Sequence, residues 1–241
     1  VMTGYNPGFV WSLVDRPEKY YRVFDIPKGK QVRRIEAPKV ALKLIQKWFS
    51  LHFERQWKPH EAVHGFVRGR SHLSAARKHV TAEWVVSVDI ENFFPSTLRK
   101  DVRSAMERLG YRSEDSLSTI ESLCCRYERL AQGAPSSPVV ANIALDVLDQ
   151  KIAAIADRHG VVFTRYADDI VLSGRGQAPE KIIEELGAVF DGTSWRLSAQ
   201  KQSVSHLPNR LKVHGLLVHG EQVRLTKGYR NRLRAFRHLM D

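Results

Sequence analysis

Two adjacent carboxylates stand where acidic residues are unusual. Asp168 and Asp169 follow the apolar, strand-like run 161–166 and precede a second one, 170–173. Neighbouring carboxylates in apolar surroundings repel each other, and a divalent cation would neutralise both. A solvated acidic turn is the alternative interpretation, because Asp is common in turns.

A third carboxylate, Asp89, favours the metal-binding interpretation. It ends the apolar run 84–88, and two phenylalanines follow it closely. A carboxylate in such surroundings is costly unless it is paired or bound to a metal. If its strand lies beside the Asp168–Asp169 hairpin in one sheet, three carboxylates converge. That arrangement suits two Mg²⁺ ions and in-line phosphoryl transfer.

The pattern around these residues predicts interleaved helices, strands and hairpins. Strict βαβ alternation is absent, so we expect an α+β fold, an antiparallel sheet with helices packed on one face. The predicted elements are a helix starting with Pro38 in its first turn, a strand 84–90, helices 98–109, 137–160, 179–190 and 229–240, and a hairpin over 216–225 around Gly220.

The charge distribution indicates a polyanionic partner. The net charge is +12, with 16 Lys and Arg against 6 Asp and Glu in residues 1–80, 9 against 12 in 81–160, and 13 against 8 in 161–241. Basic ends flanking an acidic middle fit a protein that grips phosphates at its periphery and holds cations at its centre.

Other features exclude several classes of protein. No apolar run approaches the ~20 residues that span a bilayer, and no signal peptide opens the chain. The two cysteines, Cys124 and Cys125, are adjacent, which argues against a disulfide framework. We therefore expect a cytoplasmic protein without a membrane partner.

Several segments resemble, in order, the motifs of reverse transcriptases over roughly residues 20–220. Tyr166–Asp169 is similar to their YxDD signature and 88–96, VDIENFFPS, to their first aspartate motif. The other matching segments are 28–38, 64–71 (HGFVRGRS), 132–138 (QGAPSSP) with Asn142, 197–201 (LSAQK) and 213–216 (VHGL).

The variety resembled is the bacterial retron or group II intron-like type. Two motifs differ from the retron pattern, since 75–79 lacks the Asn of NAxxH and His214 stands where VTG has Thr. CRISPR-associated and phage-defence relatives therefore stay open. The resemblance implies a right-hand polymerase with fingers at 1–80, a palm at 81–220 (fingers elements inserted near 99–131), and the start of a truncated or reduced thumb at 221–241.

The resemblance also implies roles for individual residues. Asp89, Asp168 and Asp169 would be catalytic and, with the carbonyl of Ile90, would hold two Mg²⁺ ions, for which Mn²⁺ could substitute. Phe94 would exclude the 2′-hydroxyl of the incoming nucleotide, with a core role as the alternative. The other implied nucleotide-binding residues are Lys28, Arg33 (or its neighbour Arg34), Gln132, Gly133 and Lys201. The candidate nucleic-acid-binding residues are Arg68, Arg70, His72, Lys78, Gly215, Arg230, Arg234 and Arg237.

The function implied is RNA-directed DNA polymerisation in a retron-like or phage-defence system. Its partners would be a template RNA with a DNA primer, or a structured non-coding RNA, together with dNTPs and an accessory effector protein. The alternatives are a group II intron-like or CRISPR-associated enzyme, template-independent or protein-primed DNA synthesis, and a non-catalytic RNA-binding palm.

Overall fold

The computed structural model of the protein describes residues 6–29, 31–238 and 240, and they form two compact units. The first unit contains the described residues up to Pro59, Asn92–Asp146 and Gly192–Trp195. The second contains His60–Glu91, Val147–Asp191 and the described residues from Arg196 onward. The chain passes between them several times, whereas the fingers, palm and thumb boundaries predicted above are consecutive segments. Those boundaries stay a prediction.

The first unit is mainly helical. Its elements are α1 (Pro7–Asp15), β1 (Tyr21–Lys28), β2 (Gln31–Pro38), α2 (Val40–Gln56), α4 (Phe93–Ser96), α5 (Arg99–Arg108), α6 (Glu114–Cys124), β4 (Cys125–Arg126) and β5 (Arg129–Leu130). Elements are numbered along the whole chain, so the labels missing from this series belong to the second unit. Helix α7 (Ser137–His159) begins in the first unit and ends in the second.

The β1–β2 hairpin corrects one prediction. Pro38 is the last residue of β2 and pairs with Tyr21, and α2 begins only at Val40 with Lys39 as its N-cap. The prediction that Pro38 lies in the first turn of a helix was therefore wrong. A proline is tolerated here because a strand end in a two-stranded hairpin does not require its missing N–H.

The second unit is built on an antiparallel sheet. Its elements are α3 (His72–Lys78), β3 (Trp84–Asp89), β6 (Val162–Tyr166), β7 (Asp169–Gly174), α8 (Ile182–Ala188), β8 (Ser203–His206), β9 (Lys212–Val213), β10 (Leu216–Leu217), β11 (Arg224–Leu225) and α9 (Lys227–His238). The main sheet has the order β6-β7-β3-β8, and a smaller sheet has the order β11-β10-β9.

The core of this unit joins the two sheets. Val85 of β3 and Val171 of β7 belong to one buried cluster with Val213 and Leu216 of the small sheet, and with Ala76 of α3. Valine-rich strands suit a sheet of this kind because β-branched side chains pack well on a pleated surface. The central strand β3 is thereby fixed with its end, Asp89, at the edge of the core.

The helix predicted at 98–109 is observed as Arg99–Arg108, whereas α1, α3, α4 and α6 were not predicted. The predicted helix 137–160 is observed as Ser137–His159, with Gly160 at φ +64° after it, and α8 is shorter than the predicted 179–190. The terminal helix begins two residues earlier than predicted. Within the part of the chain that the structure describes, no helix is both long and apolar enough to cross a membrane.

Candidate active site

Asp89 and Asp169 lie directly opposite each other in the main sheet. Strands β3 and β7 pair antiparallel in a register that joins Trp84 to Gly174 at one end and Asp89 to Asp169 at the other. The ladder is extended by a hydrogen bond of 2.8 Å from the backbone N–H of Ile90 to the carbonyl of Asp168. The three predicted carboxylates are therefore brought to one end of two neighbouring strands.

Asp168 belongs to the tight turn that joins β6 to β7. Tyr166 pairs with Asp169 across this hairpin, which leaves Ala167 and Asp168 as the connection, and Ala167 has φ +57°. A non-glycine residue in the left-handed region is strained, and such strain persists where surrounding contacts impose it. The contacts that impose it here come from Arg165 and from Gly65.

Arg165 links the turn to helix α7. Its guanidinium makes two parallel hydrogen bonds of 2.6 Å to the carboxylate of Asp149, and its Nη1 donates to the carbonyl of Ala167 at 2.9 Å. Both side chains of the ion pair are buried, with 0% and 1% exposure. A buried pair is tolerated only with such complete hydrogen bonding. No pattern in the sequence pointed to this pair.

Gly65 packs against the backbone of the same turn. The segment around it runs along β6, where the N–H of Arg165 donates to Ala62 and the N–H of His64 donates to Arg165, both at 2.8 Å. A Cβ on Gly65 would lie 2.2 Å from the backbone nitrogen of Ala167. Only glycine fits here, and this gives the HGFVRGRS segment a structural role beside the turn.

The carboxylates of Asp89 and Asp169 each have specific partners. The Nζ of Lys201 forms an ion pair with Oδ2 of Asp89. For Asp169, the hydroxyl of Ser87 donates to Oδ1 at 2.8 Å and Nδ1 of His214 lies 2.8 Å from Oδ2. The structure thus brings the predicted Lys201 to the aspartates and adds Ser87 and His214, which the sequence analysis did not assign.

Burial raises the pKa of Asp168 above its ordinary value. The carboxylates of Asp89 and Asp169 raise this pKa further, whereas a hydrogen bond from its own backbone and the charge of Lys201 oppose the shift. A carboxylate that is desolvated beside two others is stabilised by a cation, and carboxylate oxygens are the ligands that Mg²⁺ prefers. The donor set at this edge of the sheet therefore fits divalent metal ions.

The carboxylates of the three aspartates do not form a closed metal-binding cluster in this structure. Among the described residues, no three His, Cys, Asp or Glu groups stand close enough to one another to hold an ion. In this structure Lys201 engages Asp89, and Ser87 and His214 engage Asp169.

The candidate nucleotide-binding residues of the first unit form a second cluster. The carbonyl of Gln132 accepts a 2.8 Å hydrogen bond from the N–H of Glu36, and Gly133, at φ +126°, lies against Ile35 and Glu36. Arg33 of the same strand is half-buried, whereas Arg34 is exposed. The 132–138 segment and the β2 segment therefore meet within this unit.

The two other candidates of this unit are Phe94 and Lys28. Phe94 is half-buried and its ring lies 5.0 Å from that of Phe93. Lys28 ends β1, and its side chain lies outside the described part of the chain. Their roles stay predictions.

A buried ion cluster supports this part of the first unit. Glu36 is 1% exposed and binds two arginines, Arg126 through Nη1 and Arg129 through two hydrogen bonds of 3.2 Å. The partners are far apart along the chain, so no sequence signal pointed to them. The cluster therefore fixes β2 at Glu36, the residue whose backbone N–H donates to the carbonyl of Gln132.

The candidate nucleic-acid-binding residues are dispersed over the second unit. Arg68 is exposed, whereas Nη1 of Arg70 donates at 2.6 Å to the carbonyls of His60 and Val63 and so braces its own loop. The His72 ring contacts Tyr166 edge-on, at 6.4 Å between centroids. Lys78 lines a cavity of about 240 Å³ that also contains Glu61 and Asp157.

The remaining candidates lie near the end of the chain. Gly215, at φ +81°, follows His214 in the turn between β9 and β10. The arginines predicted to share a helical face, Arg230, Arg234 and Arg237, are all exposed on α9.

An antiparallel sheet with one aspartate ending a central strand and two more in the adjacent hairpin defines the palm of a right-hand nucleic-acid polymerase. The family profile described as reverse transcriptase (RNA-dependent DNA polymerase) matches residues 26–226. The chain therefore belongs to the reverse transcriptase family, and its relatives place it with the bacterial retron type.

Two curated relatives illustrate the similarity. Retron Ec86 reverse transcriptase from Escherichia coli is 31% identical over 221 residues, which cover 89% of this chain and 68% of the relative. Retron Mx162 reverse transcriptase from Myxococcus xanthus is 32% identical over 228 residues, which cover 83% of this chain and 47% of the relative. The chain thus spans between about half and two thirds of these proteins.

Solved structures show the same fold at low sequence identity. Telomerase from Candida albicans, in complex with a fragment of telomeric RNA, aligns with a TM-score of 0.61 at 10% identity and covers 86% of this chain and 46% of that one. Apo telomerase from Candida tropicalis, truncated from its C-terminal domain, aligns with a TM-score of 0.59 at 9% identity, covering 88% and 56%. The right-hand polymerase fold predicted from the sequence is confirmed.

Proposed function

We propose that this chain catalyses RNA-templated DNA synthesis, in which a primer 3′-hydroxyl attacks the α-phosphate of a dNTP and pyrophosphate leaves. The observation that carries the proposal is the register that sets Asp89 opposite Asp169, with Asp168 in the adjoining turn. Membership of the reverse transcriptase family supports the choice of RNA as template and dNTPs as substrates.

The family uses divalent metal ions, and here Asp89, Asp168 and Asp169 would hold two Mg²⁺ ions together with the carbonyl of Ile90. Mn²⁺, a hard cation of similar preference, would substitute. When bound, the ions activate the primer hydroxyl and neutralise the charge that develops on the phosphates.

The ion pair of Lys201 with Asp89 supports the predicted role of this lysine at the incoming nucleotide. Its ammonium group lies on Asp89 and is about half exposed, so it can reach a phosphate at the same edge of the sheet. Binding of a nucleotide would place the leaving pyrophosphate within its range, where an ammonium group both attracts the charge and can donate a proton.

Residues of the first unit would bind the incoming nucleotide. Arg33 offers paired N–H donors to phosphate oxygens, and Lys28 supplies a point charge. Gln132 and Gly133 would contact the sugar and base, since the absence of a side chain at Gly133 allows close approach of the backbone. The Phe94 ring would exclude a 2′-hydroxyl, which makes deoxynucleotides the preferred substrates.

The nucleic-acid partners would be a template RNA with a DNA primer, or one structured non-coding RNA that serves as template. Exposed Arg68 and the α9 face of Arg230, Arg234 and Arg237 would contact phosphates, which makes binding salt-dependent and insensitive to sequence. The names of its relatives favour a retron-like system. The protein would act in the cytoplasm, and an accessory effector protein would be a further partner.

The test is primer extension on poly(rA)/oligo(dT) with dTTP and Mg²⁺. We expect extension by the wild type and none by the variant that combines Asp168→Asn with Asp169→Asn. Extension by both proteins would sink the assignment. Extension that needs no template would favour template-independent or protein-primed synthesis. Failure of the wild type to extend, with tight RNA binding, would favour a non-catalytic RNA-binding palm.

A further inference from the structure

Both oxygens of the Asp169 carboxylate have a hydrogen-bond partner. Ser87, on the neighbouring strand β3, donates its hydroxyl proton to Oδ1 at 2.8 Å, and Nδ1 of His214 lies 2.8 Å from Oδ2. A carboxylate offers about four lone-pair sites, so each of these oxygens keeps one site for a metal ion. The two contacts therefore fix the carboxylate in one rotamer and leave it able to bind.

His214 occupies a position where histidine is unfavourable for the backbone. It and Gly215 form the two-residue connection between β9 and β10, with φ of +49° and +81°. Two successive positive φ values are the signature of a type I′ turn, and Asn-Gly is its preferred pair. A residue other than glycine is strained at a positive φ, so the presence of His214 here requires a compensating contact.

The imidazole is also unfavourably buried. The side chain is 6% exposed, and Nε2 is buried without a hydrogen-bond partner. Leaving a buried polar atom unpaired costs ~1–3 kcal/mol. The ring lies 5.3 Å from that of Tyr166, a contact that an apolar side chain would make as well. The contact that distinguishes histidine from such a side chain is the one between Nδ1 and Asp169.

We propose that Ser87 and His214 are positioning residues for Asp169, which hold its carboxylate in the orientation that binds a divalent metal ion. The proposal rests on the proposed function, in which Asp169 is a metal ligand. Hydrogen-bond partners of ligating carboxylates commonly change metal affinity by ~10- to 100-fold when they are removed. Neither residue touches the substrate in this assignment.

The geometry of the turn supplies a clean set of variants. His214→Gly removes the imidazole and suits the positive φ, so it deletes the contact without straining the backbone. His214→Asn also suits the turn. Its Nδ2 is separated from Cα by the same number of covalent bonds as Nδ1 of histidine. A comparison of these two variants therefore isolates the hydrogen bond from the turn.

The experiment is an EPR titration of Mn²⁺ with the full chain bound to a primer–template duplex whose primer ends in a dideoxynucleotide. We expect His214→Gly and Ser87→Ala each to weaken Mn²⁺ binding by ~10-fold or more, and His214→Asn to stay within ~3-fold of the wild type. In thermal unfolding, His214→Gly and His214→Asn should each be at least as stable as the wild type. His206→Asn, at an exposed position, should behave as the wild type.

The Asp169→Asn variant separates the possible failures. If it weakens Mn²⁺ binding and His214→Gly does not, the positioning role is wrong and the metal site stands. If Asp169→Asn binds Mn²⁺ like the wild type, or if the wild type binds none, the metal-ligand role in the proposed function fails, and the positioning role fails with it. Weakening by His214→Asn as severe as that by His214→Gly would also overturn the proposal.

Discussion

Asp89 and Asp169 are cross-strand partners, and 79 residues of chain separate Asp89 from the turn residue Asp168. Directly opposed residues of an antiparallel pair have Cβ atoms ~4.5–5.5 Å apart, which brings their carboxylates within reach of a shared pair of ions. Two like charges in this position destabilise the sheet unless something offsets them. Lys201 is placed to do so.

Asp89→Asn should abolish DNA synthesis without unfolding the protein. The change removes one charged metal ligand, and we expect the rate of primer extension to fall on the order of 10³-fold, equivalent to ~4 kcal/mol of transition-state stabilisation. The side chain is only partly buried, so the urea midpoint should change little. Asp191→Asn, at an exposed position, should leave extension unchanged. Retention of full activity by Asp89→Asn would remove this carboxylate from the mechanism.

Gly65→Ala should disturb the catalytic turn from outside. The added Cβ would lie 2.2 Å from the nitrogen of Ala167, so the turn or the 62–65 segment must shift. Forcing an extra methyl group into a packed site costs ~1–3 kcal/mol, and extension should decline as Asp168 moves.

A second glycine provides the control for this change. Gly187 lies in helix α8 with no atom within 4 Å of an added Cβ, so Gly187→Ala should stabilise the protein by ~1 kcal/mol. Urea unfolding measures both variants. If Gly65→Ala and Gly187→Ala were equally stable, the backbone around Gly65 would be able to accommodate a Cβ by a small shift.

The Arg165–Asp149 pair should behave differently in single and double variants. Arg165→Met leaves Asp149 buried without its counter-charge, and this should cost ~3–5 kcal/mol of unfolding free energy. Adding Asp149→Leu removes the stranded charge and should recover most of that loss. Extension should stay low in the double variant, because the carbonyl of Ala167 has lost its Nη1 donor. A double variant as unstable as the single one, or one with full activity, would contradict this account.

Phe94→Ala should relax the discrimination against ribonucleotides. If the ring occupies the space of the 2′-hydroxyl, its removal should raise the relative kcat/KM for rNTPs by ~10- to 100-fold, while dNTP use falls less. Phe93→Leu, at the buried neighbouring position, should lower stability without changing the rNTP/dNTP ratio. The ratio is measured by single-nucleotide insertion. An unchanged ratio in Phe94→Ala would support the alternative role of Phe94 in the core.

Local patterns predicted the elements that carry the aspartates. The strand 84–90 is observed as Trp84–Asp89 because it is apolar and rich in valine. The helix 137–160 is observed as Ser137–His159 because it is long, apolar and bounded by clear end signals. The Pro38 prediction failed because proline is favoured at helix starts but is also tolerated at the end of an edge strand. Only the pairing of Pro38 with Tyr21 decides between these possibilities.

The partners of the functional residues could not be predicted in the same way. Glu36 binds arginines about 90 residues away, and the His214 contact to Asp169 joins segments 45 residues apart. Such contacts depend on how elements pack, and no periodicity encodes them. The one local hint was His214 itself, where the motif of the resembled family has a different residue.

Acid should destabilise the protein through His79. This ring is buried between the hydroxyls of Ser173 and Thr164, at 2.7 Å from each, and burial lowers its pKa to about 3, with the nearby His214 and His64 contributing. Above a pH of ~6.5 the imidazole is neutral in both states, so the full stability is present. Below that pH the unfolded chain binds a proton that the folded protein does not, and stability should fall by ~1 kcal/mol per pH unit until about pH 3.

The stability difference between wild type and His79→Gln, measured by urea unfolding, should therefore shrink between pH 7.5 and pH 5, whereas His206→Gln should follow the wild type throughout. Parallel curves for wild type and His79→Gln would show that this histidine does not set the acid sensitivity.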